Sequence, residues 1–260
     1  MTDSGVRRRA KRALERQLEY QQRKADSLRG QEQQIMESMA RRSAAIHDRL
    51  SAVQPIARDA RVLEVGSGAH GLIFYFDGGE RIGIDPLADH YRQLFPAWQD
   101  RVLTIAGFGE QLPFEDASFD VVLSDNVVDH AESPRRIVEE MARVLKPGGL
   151  MYFTVNIHHP LYHVAASIHA GWRALGIPFE ITPFADHTVH LTLKSAKALF
   201  DGLPLRVVEQ SDTIDRARRE GRSGPARHAG DWLKRFFFKN ALFELIAVKQ
   251  DQLAPTSRAP

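Results

Sequence analysis

The residues most able to do chemistry cluster around a glycine bend. Val62-Leu63-Glu64-Val65 is an apolar run that leads into Gly66-Ser67-Gly68-Ala69-His70-Gly71. A bend of this kind after a strand lets the backbone turn sharply and come close to a ligand. A second apolar run, Arg81-Ile82-Gly83-Ile84, delivers Asp85 to its end. A carboxylate roughly 20 residues past the bend can take the ribose hydroxyls of a bound nucleoside. Candidate proton acceptors are found among the 11 histidines. His130 follows a fourth predicted strand, and His158 and His159 follow a fifth, so all three fall at the ligand-binding edge of a parallel sheet. Asp125, Asp129 and His130 form a set that could hold Mg²⁺, yet three polar residues at a strand end need no metal, and none is expected.

Charge narrows the ligand. NAD would bring a pyrophosphate to the glycine bend, whereas S-adenosylmethionine would bring an ammonium and a sulfonium. Glu64, just before the bend, repels the first and attracts the second. Its competing role is to cap nearby backbone N–H groups.

These residues need a sheet to position them. Short apolar runs alternate with helical stretches after Pro55, the texture of a parallel sheet with crossover helices. Seven strands are predicted, at 61–65, 81–84, 102–106, 119–124, 150–156, 205–210 and 242–248. Ser133-Pro134 reads as an N-cap followed by proline at the first helical position, with Ile137, Met141 and Leu145 recurring every four residues and Lys146-Pro147-Gly148-Gly149 as the stop. The stretch 211–231 shows no apolar period and reads as a long loop. Upstream, residues 1–55 form a helical extension, predicted as two helices broken near Gly30. The second carries an apolar stripe of Ile35, Met39, Ile46 and Leu50, able to lie on the main domain as a lid or on a second copy as a homodimer contact. The main domain is expected over 56–250, and 251–260 as a disordered tail.

The segment Leu112-Pro113-Phe114-Glu115-Asp116-Ala117-Ser118-Phe119-Asp120, followed by Val121-Val122-Leu123-Ser124-Asp125-Asn126 and later by Leu145-Lys146-Pro147-Gly148-Gly149, resembles the class I S-adenosylmethionine-dependent methyltransferases. The resemblance runs from about Arg61 to Asn156. It implies an α/β fold with a doubly wound, seven-stranded, mostly parallel Rossmann-like sheet, and S-adenosyl-L-methionine as methyl donor. By the same resemblance, Gly66, Ser67 and Gly68 line the methionine part, Glu64 sits beside its amino group, Asp85 takes the ribose hydroxyls, and Pro86 and Leu87 lie against the adenine. Asp125 and Asn126, with the residues up to His130, face the sulfonium. Where the family carries an acid for the adenine amino group, this chain has Phe108, so adenine recognition falls to stacking on Phe108, to the backbone around Gly109, or to Glu110.

Methyl transfer is an in-line displacement that gains from alignment and, for an alcohol acceptor, from a base. The histidines, and the lack of an Asn-Pro-Pro-Tyr motif, point to O-methylation of a small-molecule or glycan hydroxyl. Tyr162, Trp172 and Phe179, in a segment expected to cover the substrate, suit a sugar or an aromatic ring equally. A net charge of only +2 does not advertise nucleic acid, although Arg7, Arg8, Arg9, Lys11, Arg12 and Arg16, with Arg216, Arg218, Arg219, Arg222 and Arg227, keep a nucleic-acid or other N-methyltransferase as a rival. A non-catalytic binding protein on the same fold is a second rival, with Phe108 as its support. The absence of cysteine excludes disulfides and thiolate chemistry. No run is apolar enough to span a membrane and no signal peptide is visible, so a cytoplasmic protein is expected.

Overall fold

A computed structural model describes residues 30–160, 189–222, 238 and 240–251, with residue 22 besides. The first helix of the extension, the aromatic segment with Tyr162, Trp172 and Phe179, His187, Arg227 and the tail past 251 lie outside the described residues.

Seven strands form one sheet: β1 (Val62–Val65), β2 (Arg81–Asp85), β3 (Leu103–Ala106), β4 (Phe119–Asp125), β5 (Leu145–Ile157), β6 (Leu205–Asp212) and β7 (Ala241–Lys249). Their order is β3-β2-β1-β4-β5-β7-β6. β1 pairs in parallel with both β2 and β4, whereas β7 runs antiparallel to β5 and to β6. The winding direction reverses between β1 and β4, and the carboxyl ends of those two strands therefore border the crevice in which folds of this type bind ligands.

Alternation along the strands divides the interior into two layers. On β4, Val122 joins one cluster and Val121 and Leu123 the other. The first cluster is covered by helix α4 (Pro134–Val144) through Ile137, Val138 and Met141. The second is covered by α1 (Glu32–Val53) and by the short helices α2 (Ala88–Leu94) and α3 (Pro96–Gln99), through Tyr91, Phe95 and Trp98. In α1, Ile46 and Leu50 are buried, and Ile35 and Met39 pack against the same cluster. The stripe thus meets its own domain, one of the two surfaces it could have met. Full burial of a leucine such as Leu50 contributes roughly 1.5–3 kcal/mol.

Three expectations are corrected. The stretch from 211 is not a loop throughout: β6 continues to Asp212, and α6 (Ile214–Arg222) follows the short α5 (Leu193–Ala198) in the helix count. Its apolar face is thin, with Ile214 and Ala217 on the core, and its start is fixed by Asp212, which accepts from the Ile214 N–H at 3.0 Å. Lys146-Pro147-Gly148-Gly149 is no loop after α4 but lies within β5, which begins at Leu145. Ser133 precedes α4, yet its side chain makes no cap; Glu110 fixes the chain just ahead of the helix by accepting from the Glu132 and Ser133 N–H groups at 3.1 and 3.4 Å. No helix among the described residues is long and apolar enough to cross a membrane.

Candidate functional site

The glycine bend sits at the carboxyl end of β1, held by the Gly66 and Ser67 N–H groups donating to the Ile84 carbonyl at 2.7 and 3.2 Å. Gly66 has φ +75, and a Cβ there would fall 2.2 Å from Cγ1 of Val127, so glycine alone lets the post-β4 turn close on the bend. At Gly71 a Cβ would lie 2.3 Å from the Glu64 Oε2. The last glycine of the motif therefore makes room for a carboxylate.

That carboxylate is buried and takes the role of a backbone cap. Glu64 accepts from the Leu72 N–H at 3.2 Å and the Ile73 N–H at 2.9 Å, where a 3₁₀ turn (Leu72–Phe74) begins. Burial pushes its pKa up from 4.5 to about 8, against the pull of those two bonds. Asp85 is tied in the same manner, accepting from the Gly68 N–H at 3.0 Å and the Leu87 N–H at 2.9 Å. Burial lifts it from 3.8 to about 6, opposed by these bonds and by the field of His130. Ser67 is buried, and a Cβ on Gly83 would come within 2.7 Å of its hydroxyl, which places that side chain towards β2. Pro86 is half-buried, and Leu87 packs into the second cluster. Phe108 is 54% exposed and stands beside Gly109, which is pressed under Val65 and Ile137. Glu110, an alternative for the adenine, is taken by the start of α4.

At the end of β4, Asp125 is held by a two-toothed Arg42 fork from α1, with Nη2 to Oδ1 at 2.7 Å, and by the Thr154 hydroxyl at 2.7 Å. Asn126 adopts φ +58, a conformation that β-branched residues resist. It is anchored by its N–H to the Thr154 carbonyl at 3.1 Å and by its Oδ1, which accepts from the Asn156 N–H at 3.0 Å. One helical face carries Ile35, Met39 and Arg42. These three, with His70, Asp125, Asn126 and Leu242, line a cavity of about 610 Å³, within the size range of small-molecule sites. Seven residues along α1, Arg49 bonds Glu209 and Glu244, and the Tyr152 hydroxyl donates to Glu244 at 2.7 Å, so a ladder of charged groups seats the helix on the sheet.

The three expected bases are dispersed. His130 lies on a 3₁₀ turn (Val128–His130), its Nε2 3.9 Å from Asp129. His158 is buried, its ring 5.0 Å from that of His190 and its N–H donating to the Leu191 carbonyl. His159 packs on Phe238, and burial lowers its pKa. None of the three lines the cavity; among the described residues the histidine that does is His70. Among the described residues, no three His, Asp or Glu side chains converge as a metal site, so Asp125, Asp129 and His130 are not brought together in that way. Sequence reasoning missed Arg42, whose partner lies 83 residues away, and Gln99, whose amide donates to the Gly68 and Ala69 carbonyls at 3.2 and 3.3 Å. Neither belongs to a local motif. His70 could have been found, since it stands inside the glycine motif itself.

A parallel sheet reversed by one late strand, with a glycine bend at its β1 edge and an acid at the end of β2, defines the Rossmann-like fold of class I methyltransferases. Residues 63–153 match the family described as a methyltransferase domain. An uncharacterized methyltransferase of Mycobacterium tuberculosis is 34% identical over 104 residues, covering 40% of this chain and 41% of that protein. One from Mycolicibacterium gilvum is 35% identical over 103 residues, covering 38% and 40%. The chain thus spans about two fifths of the length of the curated relatives it matches. Among solved structures, a methyltransferase-like protein of Bacillus halodurans superposes with a TM-score of 0.56 at 15% identity, over 79% of this chain and 99% of that one. Geranyl diphosphate C-methyltransferase of Streptomyces coelicolor, solved with Mg²⁺, geranyl diphosphate and S-adenosyl-L-homocysteine, superposes with a TM-score of 0.54 at 14% identity, over 79% and 78%. These likenesses speak to the fold.

Proposed function

We propose that the chain is an S-adenosylmethionine-dependent methyltransferase acting on an oxygen of a small-molecule acceptor. The observation that carries this reading is the cavity at the β1/β4 reversal, bounded by the glycine bend through His70, by Asp125 and Asn126, and by α1. The residues present fit the donor. Gly66, Ser67 and Gly68 would offer backbone to its methionine part, with the Glu64 carboxyl beneath. Asp85 stands where ribose hydroxyls would reach it, Pro86 and Leu87 would back the adenine, and the exposed Phe108 ring beside Gly109 would stack on it. When bound, the donor supplies an electrophilic methyl; Asp125 and Asn126 would border that methyl, and α1 would keep water from it.

A small acceptor is favoured over nucleic acid. One wall of the cavity is a helix, and two arginines of α6 are paired locally, Arg216 with Glu220 at 2.8 Å and Arg218 with Asp215 at 3.7 Å. Calorimetry with S-adenosylhomocysteine tests the reading: micromolar binding is expected, weakened at least tenfold in Asp85→Ala. A wild-type chain that shows no heat of binding, or that binds a nicotinamide dinucleotide instead, refutes it.

A further inference from the structure

The lining of the cavity includes a charge that the donor does not explain. A donor bearing an ammonium and a sulfonium calls for acids, yet Arg42 presents a guanidinium. Its fork neutralises Asp125, and it also interacts with Tyr152 and lies in the field of Glu64 and Glu244. These contacts do not exhaust the five N–H donors of an arginine, and the side chain remains 41% exposed. Around it the wall is mixed, with Ile35 and Met39 from α1 and Leu242 from β7 giving an apolar side and His70, Asp125 and Asn126 a polar one.

We infer that Arg42 receives the carboxylate of a small, largely apolar acid, and that an oxygen of this carboxylate is the methyl acceptor, giving a methyl ester. The inference rests on the donor reading above. Three features support it. A guanidinium fork matches a carboxylate in shape as well as charge. An amine acceptor would leave a new cation beside Arg42, whereas a carboxylate meeting a sulfonium cancels both charges. Finally, a neutral hydroxyl needs a base, and His130, His158 and His159 are all absent from the cavity lining. His70, which is present, is packed against Phe95 and Trp98 at ring distances of 4.6 and 4.5 Å. A carboxylate needs none: an oxygen lone pair forms the new C–O bond, the S–CH₃ bond breaks with its electron pair returning to sulfur, and no proton moves.

The test is calorimetry on the full chain saturated with S-adenosylhomocysteine. Octanoate, decanoate and hydrocinnamate are titrated beside their primary amides and alcohols. At least one acid is expected to bind tenfold or more tightly than its amide. With each variant saturated with S-adenosylhomocysteine, Arg42→Gln should erase that preference, with Arg42→Lys retaining part of it. Because Arg42→Gln strands Asp125, the pair Arg42→Gln/Asp125→Asn keeps the wall neutral, and it too should lose the preference. With the methyl donor present, mass spectrometry should show the methyl ester of the preferred acid. Equal affinity for acid and amide, no acid binding to a chain that binds S-adenosylhomocysteine, or an unchanged preference in the double variant overturns the inference. Failure to bind S-adenosylhomocysteine instead strikes the donor reading itself.

Discussion

Glu64→Gln removes an ionisable group from the middle of the central strand while keeping its shape, which makes it a direct probe of the energetics under the glycine bend. In the folded chain Glu64 is lifted from 4.5 to about 8. A carboxyl raised by folding favours the folded state below its unfolded pKa and loses that contribution as pH rises through the folded value. Asp85 behaves alike, but its change is complete by about pH 6, so the interval from pH 6 to 8 isolates Glu64. At about 1.4 kcal/mol for each tenfold in proton affinity, Glu64 should remove about 2 kcal/mol of stability across that interval. Glutamine offers one acceptor where the carboxyl serves the Leu72 and Ile73 N–H groups. The variant should therefore begin about 1–3 kcal/mol less stable at pH 6. Urea denaturation at pH 6, 7 and 8, with wild type and variant side by side, subtracts the histidine titrations common to both. The gap should close by about 2 kcal/mol towards pH 8. A gap that stays constant means Glu64 is ionised throughout, and the account of its burial is then wrong.

The close-approach glycine Gly66 should differ from the open Gly68. Gly66→Ala drives a methyl into Val127 at φ +75 and should cost about 2–4 kcal/mol in thermal melts. At Gly68, φ +55, a Cβ would meet only the Gly66 carbonyl at 4.0 Å, so Gly68→Ala should cost about 1–2 kcal/mol yet depress S-adenosylhomocysteine affinity by tenfold or more, read by calorimetry. Gln99→Leu leaves the Gly68 and Ala69 carbonyls without their donor; a lower melting temperature with at least fivefold weaker S-adenosylhomocysteine binding is expected, and Gln99→Asn should not restore it, its amide being one methylene short. Arg49→Met strands Glu244 beside Tyr152 and should destabilise by about 1–3 kcal/mol, with Arg49→Met/Glu244→Gln recovering most of the loss in denaturant titrations.

The inner strands were legible because their residues are buried on both faces: all of Val62–Val65 is inside, so β1 reads as a continuous apolar run even with Glu64 in it. α6 was not legible, since two apolar residues, Ile214 and Ala217, suffice to seat it. Ser133 had the right type for a cap but makes no such bond, and Glu110, brought in from the loop after β3, holds the residues just ahead of the helix instead. The half of the site proposed for the donor was readable from contiguous motifs around Gly66 and Asp85. The acceptor half was not, because Arg42 and Leu242 come together only when α1 lies across the ends of β4 and β7. The stripe in α1 announced that the helix would dock; its spacing carried no word of where.

The wall that α1 supplies has an evolutionary consequence. Ile35, Met39 and Arg42 lie upstream of the stretch, 63–153, that carries the family likeness. On the proposed function, a handful of substitutions along about two turns of helix would reshape the acceptor wall and leave residues 63–153 unchanged. Exchange of residues 32–53 between relatives is the natural route by which such chains would diversify.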